Sequence, residues 1–257
     1  MTPKDAYANI AARAKTLLRL HDGLVNIRRR RMRADWKASF CAFMRWPQAH
    51  TIDRVDSKEA ILVLRHGAAM SSADFTAEAQ SDLLRSSLTF GVSAFDRYLH
   101  ERVIKNIISS LRAGALLKQQ EELSIPATLA LSMTEALATA QRNGERVRPA
   151  NEMRNAIQDS LHKRTFQTWR EMEGAFCLIG ISGIAGKLQT AYSVGDISPI
   201  RNQLNTLVHR RNLIVHEGDL HRHKRGGKAR PQALERKYVA DSLMFLDQLV
   251  EKLDVIA

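Results

Sequence analysis

The sequence predicts an all-α protein, and three observations predict it. Apolar residues recur every three or four positions through each long stretch between loop signals. Capping residues, Pro and Gly stand where such stretches begin and end. Only one short apolar run, Ala60 to Leu64, suits a strand, and it suits a helical turn equally well.

In chain order, Lys4 to Arg33 reads as a first helix, with Ala6, Ile10, Leu17, Leu20, Leu24 and Ile27 at helical spacing. It ends in Arg28, Arg29, Arg30, Arg31 and Arg33. These are either phosphate contacts, each guanidinium offering a fixed fork of donors, or a solvated helix end where cations favour the dipole. Trp36 to Met44 is a second helix that Pro47 stops. Its Trp36 and Phe40 suit packing on the main domain better than base stacking or membrane contact. Gly67 and Ser71-Ser72-Ala73-Asp74 mark the best domain boundary.

From Asp74 to Arg112, Leu84, Leu88, Val92, Phe95, Leu99, Val103, Ile107 and Leu111 predict one long helix, bent at Gly91. Ser124-Ile125-Pro126 opens another that runs to Arg142, and Asn151 caps a helix over Glu152 to Lys163. Thr165 to Val194 is apolar, then loosens at Gly180, Gly183 and Gly186. The spacing of these glycines from Lys187, and Leu188 where Ser or Thr should hold magnesium, refuse a phosphate-binding loop, so they read as close packing and turns. Leu220 to Pro231 is a basic, glycine-containing loop, and Gln232 to Ile256 closes the chain as a helix with Leu234, Tyr238, Leu243, Leu246, Leu249 and Leu253 inward.

The chain is organised around Ser198 to Asp219. Ser198 suits the cap, Pro199 the first helical position and Gly218 the stop. Ile200, Leu204, Leu207, Val208, Ile214 and Val215 form one apolar stripe, and Arg211 falls within it. A buried guanidinium needs a carboxylate, a phosphate or a hydrated subunit interface.

A formal charge of +12 and a pI near 10.1 point to polyanionic partners, nucleic acid first. No run is long and apolar enough to span a bilayer, the N-terminus is polar where a signal peptide would be apolar, and Cys41 and Cys177 suit a reducing compartment. The cytoplasm is therefore the expected location and no membrane is expected as a partner. His209, His216, His221 and His223 do not complete a metal site, because neither cysteine is near in sequence and neighbouring cations would repel a dication. No G-x-S-x-G turn occurs, which removes the common serine hydrolases.

The run Arg211-Asn212-Leu213-Ile214-Val215-His216, with Glu217-Gly218-Asp219 behind it, resembles the R-N-x-x-x-H signature of the HEPN superfamily, in the form of its RiboL-PSP branch. That resemblance implies a HEPN-type helical bundle over residues 72–257, preceded by a basic helical N-terminal extension over 1–71. It also implies a homodimer through the 198–218 helix and, in many members, RNA cleavage without a cofactor or metal, serving as a toxin or defence effector with an antitoxin or regulatory partner. Arg211, Asn212 and His216 are then the catalytic candidates. Asp96, in a stretch similar to the family's first helix, is the candidate supporting carboxylate, with Glu101 in reserve.

The chemistry fits the residue types. Ribose carries its own nucleophile, so the protein needs a group that moves a proton near neutrality and one that grips the phosphorane oxygens. On a regular helix a spacing of five turns Arg211 and His216 about 140° apart, so one helix aims them poorly, whereas two copies about a twofold axis would bring two arginines and two histidines into one cleft. Arg28, Arg29, Arg30, Arg31, Arg210, Arg222, Lys224 and Arg225 are the candidate RNA contacts. The competing readings are a non-catalytic RNA-binding or scaffold protein of the same fold, and a DNA-binding regulator for which no helix-turn-helix pattern stands out.

Overall fold

Helix α3, Ala77–Ala113, is the axis of the computed structural model, which describes residues 1–30, 32–47, 52–58, 60–65, 69–121, 127–144, 149–161, 163–220 and 231–256. At 37 residues it is about 55 Å long, and it runs without interruption through Gly91. Gly91 serves close approach: a Cβ there would sit 2.5 Å from Leu243 Cδ2. Leu84, Leu88, Val92, Phe95, Leu99, Val103 and Ile107 are all buried along it, as their spacing predicts.

Around α3 lie α1 (Pro3–Leu24), α6 (Pro149–Leu161), α7 (Trp169–Leu178), α9 (Ser198–Glu217) and α10 (Arg236–Ile256). The short α8 (Ile184–Tyr192) packs on α7 and α10, α4 (Lys118–Glu121) on α7, and α5 (Ala127–Asn143) on α6. The protein is mostly helical, with helix at 71% and strand at 6%, which sets the all-α class.

The N-terminal region departs from expectation in three ways. Helix α1 stops at Leu24 instead of Arg33, because Asn26 takes a left-handed φ of 59° and turns the chain. The arginine block then runs as strand β1 (Arg28–Arg30), antiparallel to β2 (Ile52–Asp56), which pairs with β3 (Ile61–Arg65). The region is thus not wholly helical, and the ambiguous run at Ile61 is a strand. Finally, α1 belongs to the bundle: Tyr7, Ala11, Ala14 and Leu18 share one core with α3 and α10, so the boundary at 71/72 does not separate it. Helix α2 (Ala34–Phe43) and the sheet bury Cys41, Ile52 and Val55 outside that core.

Several helix ends are set by residues other than those expected. The stretch after Thr165 divides into α7, capped by Thr168, and α8, because Gly180 and Gly183 have φ of 80° and 65°. Helix α6 begins at Pro149, so Asn151 lies inside it. In α9 Ser198 is the first helical residue rather than the cap: Ile197 takes the cap position without a side-chain hydrogen bond, and the Ser198 amide donates to the Asp196 carboxylate at 2.9 Å. Helix α10 starts at Arg236 rather than Gln232, and its Tyr238 is 37% exposed. The expected Ser124 cap lies outside the described residues.

Candidate functional site

The motif helix α9 packs one face on α3 through Leu204, Leu207 and Val208, all buried, with Ile200 and Ile214 partly buried beside them. Most of the apolar stripe is therefore covered within one chain. Val215, at 47% exposure near the last turn, is left in solvent.

Gly218 ends the helix with φ 60°, Asp219 follows with φ 59°, and the Asp219 amide donates to the Leu213 carbonyl at 3.0 Å. This double left-handed turn carries the Asp219 side chain into the protein, where it is fully buried. Its Oδ2 accepts from Arg85 Nε at 2.9 Å and from Arg210 Nη2 at 2.8 Å. Arg85 also donates to Asp82 at 2.8 Å and to the Gln232 carbonyl at 3.0 Å. Arg210 Nη1 donates to the Gln232 side-chain oxygen, and the Gln232 amide donates to the Asp219 carbonyl at 2.8 Å. Burial alone would lower the pKa of Arg85, but its hydrogen bonds to Asp219 and Asp82 outweigh that and raise it. The cluster ties α3, the end of α9 and the approach to α10 together. With the Leu220 to Pro231 bridge it closes the base of the basic loop.

Arg210 is thus a structural cation, not a free RNA contact: its side chain is 14% exposed and both terminal nitrogens are engaged. Arg211 is half-buried, its Nη1 donating to Asn212 Oδ1 at 3.0 Å, while its Nε is buried with no partner among the described residues. His216 is exposed, and so is His209 two turns earlier on the same side of the helix. Within one copy no contact among the described residues joins Arg211 to His216, in keeping with the angle between them.

Asp96 does not join the motif. It accepts from the Phe166 amide at 2.7 Å and from Gln167 Nε2 at 3.3 Å, with His100 Nε2 at 3.8 Å, so it fastens the turn before α7. Its position is eleven residues along α3 from Arg85, about 16 Å at the helical rise. The reserve carboxylate Glu101 is buried between Arg97, at 2.6 Å, and Arg154. Both carboxylates hold the fold.

Of the remaining candidates, Arg28 and Arg30 are exposed on β1. The Arg29 side chain, and Arg31, Arg222, Lys224 and Arg225 entirely, lie outside the described residues. Among the described residues no group of three His, Cys, Asp or Glu side chains is placed to hold a metal ion, and no helix is long and apolar enough to cross a membrane. Arg85 and Gln232 were not singled out in the sequence, and Asp219 was named only as part of the run behind the motif, without its role as a buried counterion. The signal for Arg85 was present, since it stands three residues before Leu88 on the apolar stripe of α3, the same anomaly that singles out Arg211.

Compared with protein-family models, with curated proteins and with solved structures, the chain matches none. The resemblance to HEPN domains therefore rests on the R-N-x-x-x-H run itself.

Proposed function

We propose that the protein is a metal-independent endoribonuclease that works as a homodimer, with clefts built from Arg211 and Asn212 of one copy and His216 of the other. The observation that carries this reading is the state of the motif on α9. His216 stands in solvent on the last turn, and Arg211, held by Asn212, keeps a half-buried guanidinium with an Nε unpartnered among the described residues, on a helix that ends at the base of a basic loop. His216 would remove the 2′-hydroxyl proton or protonate the leaving oxygen, and Arg211 would offset charge on the phosphate, each at its own end of an in-line displacement. The buried Asp219 cluster fixes the helix end that carries both groups. A cytoplasmic toxin or defence role, with a regulatory partner, is the biological setting we attach to this activity.

The divergence of Arg211 and His216 within one chain also favours a second reading, a non-catalytic RNA-binding or scaffold protein in which no copy completes the cleft. Incubation of the purified protein with RNA in excess EDTA separates the two. Cleavage is expected; intact RNA bound by a stable monomer would leave the second.

A further inference from the structure

Trp36, Phe40, Phe43 and Trp46 do not pack into the core of the bundle. Trp36 stacks on Phe40 with ring centroids 5.1 Å apart and planes 15° apart, and Trp46 meets Phe40 edge-on at 5.7 Å. Arg45, at a left-handed φ of 52°, makes the turn that returns Trp46 to the cluster, and the Trp46 amide donates to the Cys41 carbonyl at 2.7 Å. Trp36 is 41% exposed, and Phe43, two turns along the same face of α2, is 84% exposed. Two guanidiniums accompany the rings, Arg54 at 5.9 Å from Trp36 and Arg65 at 5.6 Å from Trp46. Arg54 is held in a fixed plane by Asp56, with two bonds of 2.7 Å.

Charge selects the occupant. Between Arg28 and Arg65 there are ten lysines and arginines against four acidic residues, so this segment carries half of the chain's net +12. Five of those ten cations, Arg28, Arg29, Arg30, Arg54 and Arg65, belong to the three strands, and Arg54 and Arg65 lie against the rings. Helix α2 itself has one lysine and one aspartate, which is unlike an interfacial membrane helix with a cationic polar face. Exposed aromatic surface on Trp36 and Phe43 next to arginines is an arrangement suited to stacking the bases of an unpaired strand.

Position supports the same use. Ser57 donates to the Gly23 carbonyl at 2.6 Å, fixing the sheet to the end of α1, and Asp22 there pairs with Arg236 at 2.8 Å. A few residues before Arg236 stands Gln232, which joins Asp219 and Arg210 at the end of α9. The aromatic face, the base of the basic loop and His216 therefore lie at one end of the bundle.

We infer that the face formed by Trp36, Phe43 and Trp46, with Arg28, Arg30, Arg54 and Arg65, binds single-stranded nucleic acid by base stacking. The inference names the strand class for the site proposed above. It rests on the nuclease reading only for the cleavage step, and binding stands apart from it.

The test is fluorescence anisotropy on the full chain with labelled 12-nucleotide oligouridine, oligothymidine, an RNA duplex of the same length, and vesicles containing phosphatidylserine. The thymidine strand has no 2′-hydroxyl, so its binding is read without cleavage and a failure of the nuclease reading leaves this measurement intact. Phe43→Ala, at a position too exposed to matter for folding, and Trp36→Ala should each weaken binding to both single strands roughly 5- to 150-fold. The salt dependence should stay unchanged, since every phosphate-binding cation is retained, and Trp36→Phe should restore most of the affinity. Single-strand binding by Phe43→Ala equal to wild type would overturn the inference. So would tighter binding to the duplex than to the strand, or vesicle binding that alone responds to these substitutions.

Discussion

Arg85 on α3 donates from Nε to the buried carboxylate of Asp219 at 2.9 Å, across 134 positions of sequence, and Arg210 donates to the same oxygen at 2.8 Å. Removing the carboxylate leaves Arg210 without its buried counterion and Arg85 with only the solvent-facing Asp82, so Asp219→Ala should cost about 3–5 kcal/mol. Asp219→Asn should cost less, because asparagine keeps an acceptor and tolerates the left-handed backbone. Urea unfolding checks both, and an Asp219→Ala midpoint equal to wild type would show that the cluster adds nothing.

The composite cleft makes a sharper demand. Arg211→Ala and His216→Ala should each lower cleavage by roughly 10²–10⁴-fold while leaving a folded dimer. Mixing the two inactive proteins under subunit exchange should restore up to about a quarter of wild-type activity, since half of the dimers are mixed and each has one intact cleft. Mixtures as inactive as their parents would place both groups in the same copy. Light scattering that gives an active monomer at micromolar concentration would remove the dimer altogether.

Long-range attraction to RNA should come from the arginine block and the basic loop. Replacing Arg28, Arg29, Arg30 and Arg31, or Arg222, Lys224 and Arg225, by Ala should flatten the salt dependence of single-strand binding by ~0.7 for each phosphate no longer neutralised. Arg210 falls outside this set: its replacement should reduce stability with little change in slope, because Asp219 and Gln232 already hold it.

The end of α1 is tied to α10 by Asp22, which accepts from Arg236 at 2.8 and 3.0 Å with His21 Nδ1 at 3.4 Å. The bond to Arg236 lowers the Asp22 pKa below its usual value. Its contribution is therefore present above the unfolded carboxylate pKa, near about 3.9, and is lost as pH falls through the lower folded value. Both side chains are partly solvated, so the effect is small. The stability gap between wild type and Asp22→Asn should be largest near about pH 6 and shrink progressively as pH falls below about 3.9. A gap constant across that range would mean the pair is not what stabilises the junction.

The long helices were legible because burial follows a 3.6-residue period over many turns, and the stripes of α3, α9 and α10 fix their inward faces. What escaped depends on contacts distant in sequence. Strand β1 is three arginines with no apolar alternation, and only its pairing with β2 makes it a strand. Asp219 and Arg85 carry no local sign of each other. Arg210 and Arg211 are adjacent cations, and which one turns toward a buried carboxylate is decided by the double left-handed turn at Gly218 and Asp219, not by spacing within α9. Asp96 fitted a motif partner by residue type, yet the level at which α3 crosses α9 assigns it to the turn at Phe166.

The most direct test of the nuclease reading is the end group on the products. Wild-type protein, incubated with RNA in excess EDTA and analysed by mass spectrometry, should give 5′-hydroxyl fragments paired with 2′,3′-cyclic phosphate or its 3′-phosphate, because attack by the adjacent hydroxyl forms the cyclic ester first. A folded His216→Ala protein, verified by circular dichroism, should give none. Fragments bearing 5′-phosphate, cleavage that EDTA stops, or undiminished cleavage by the His216→Ala protein would contradict it.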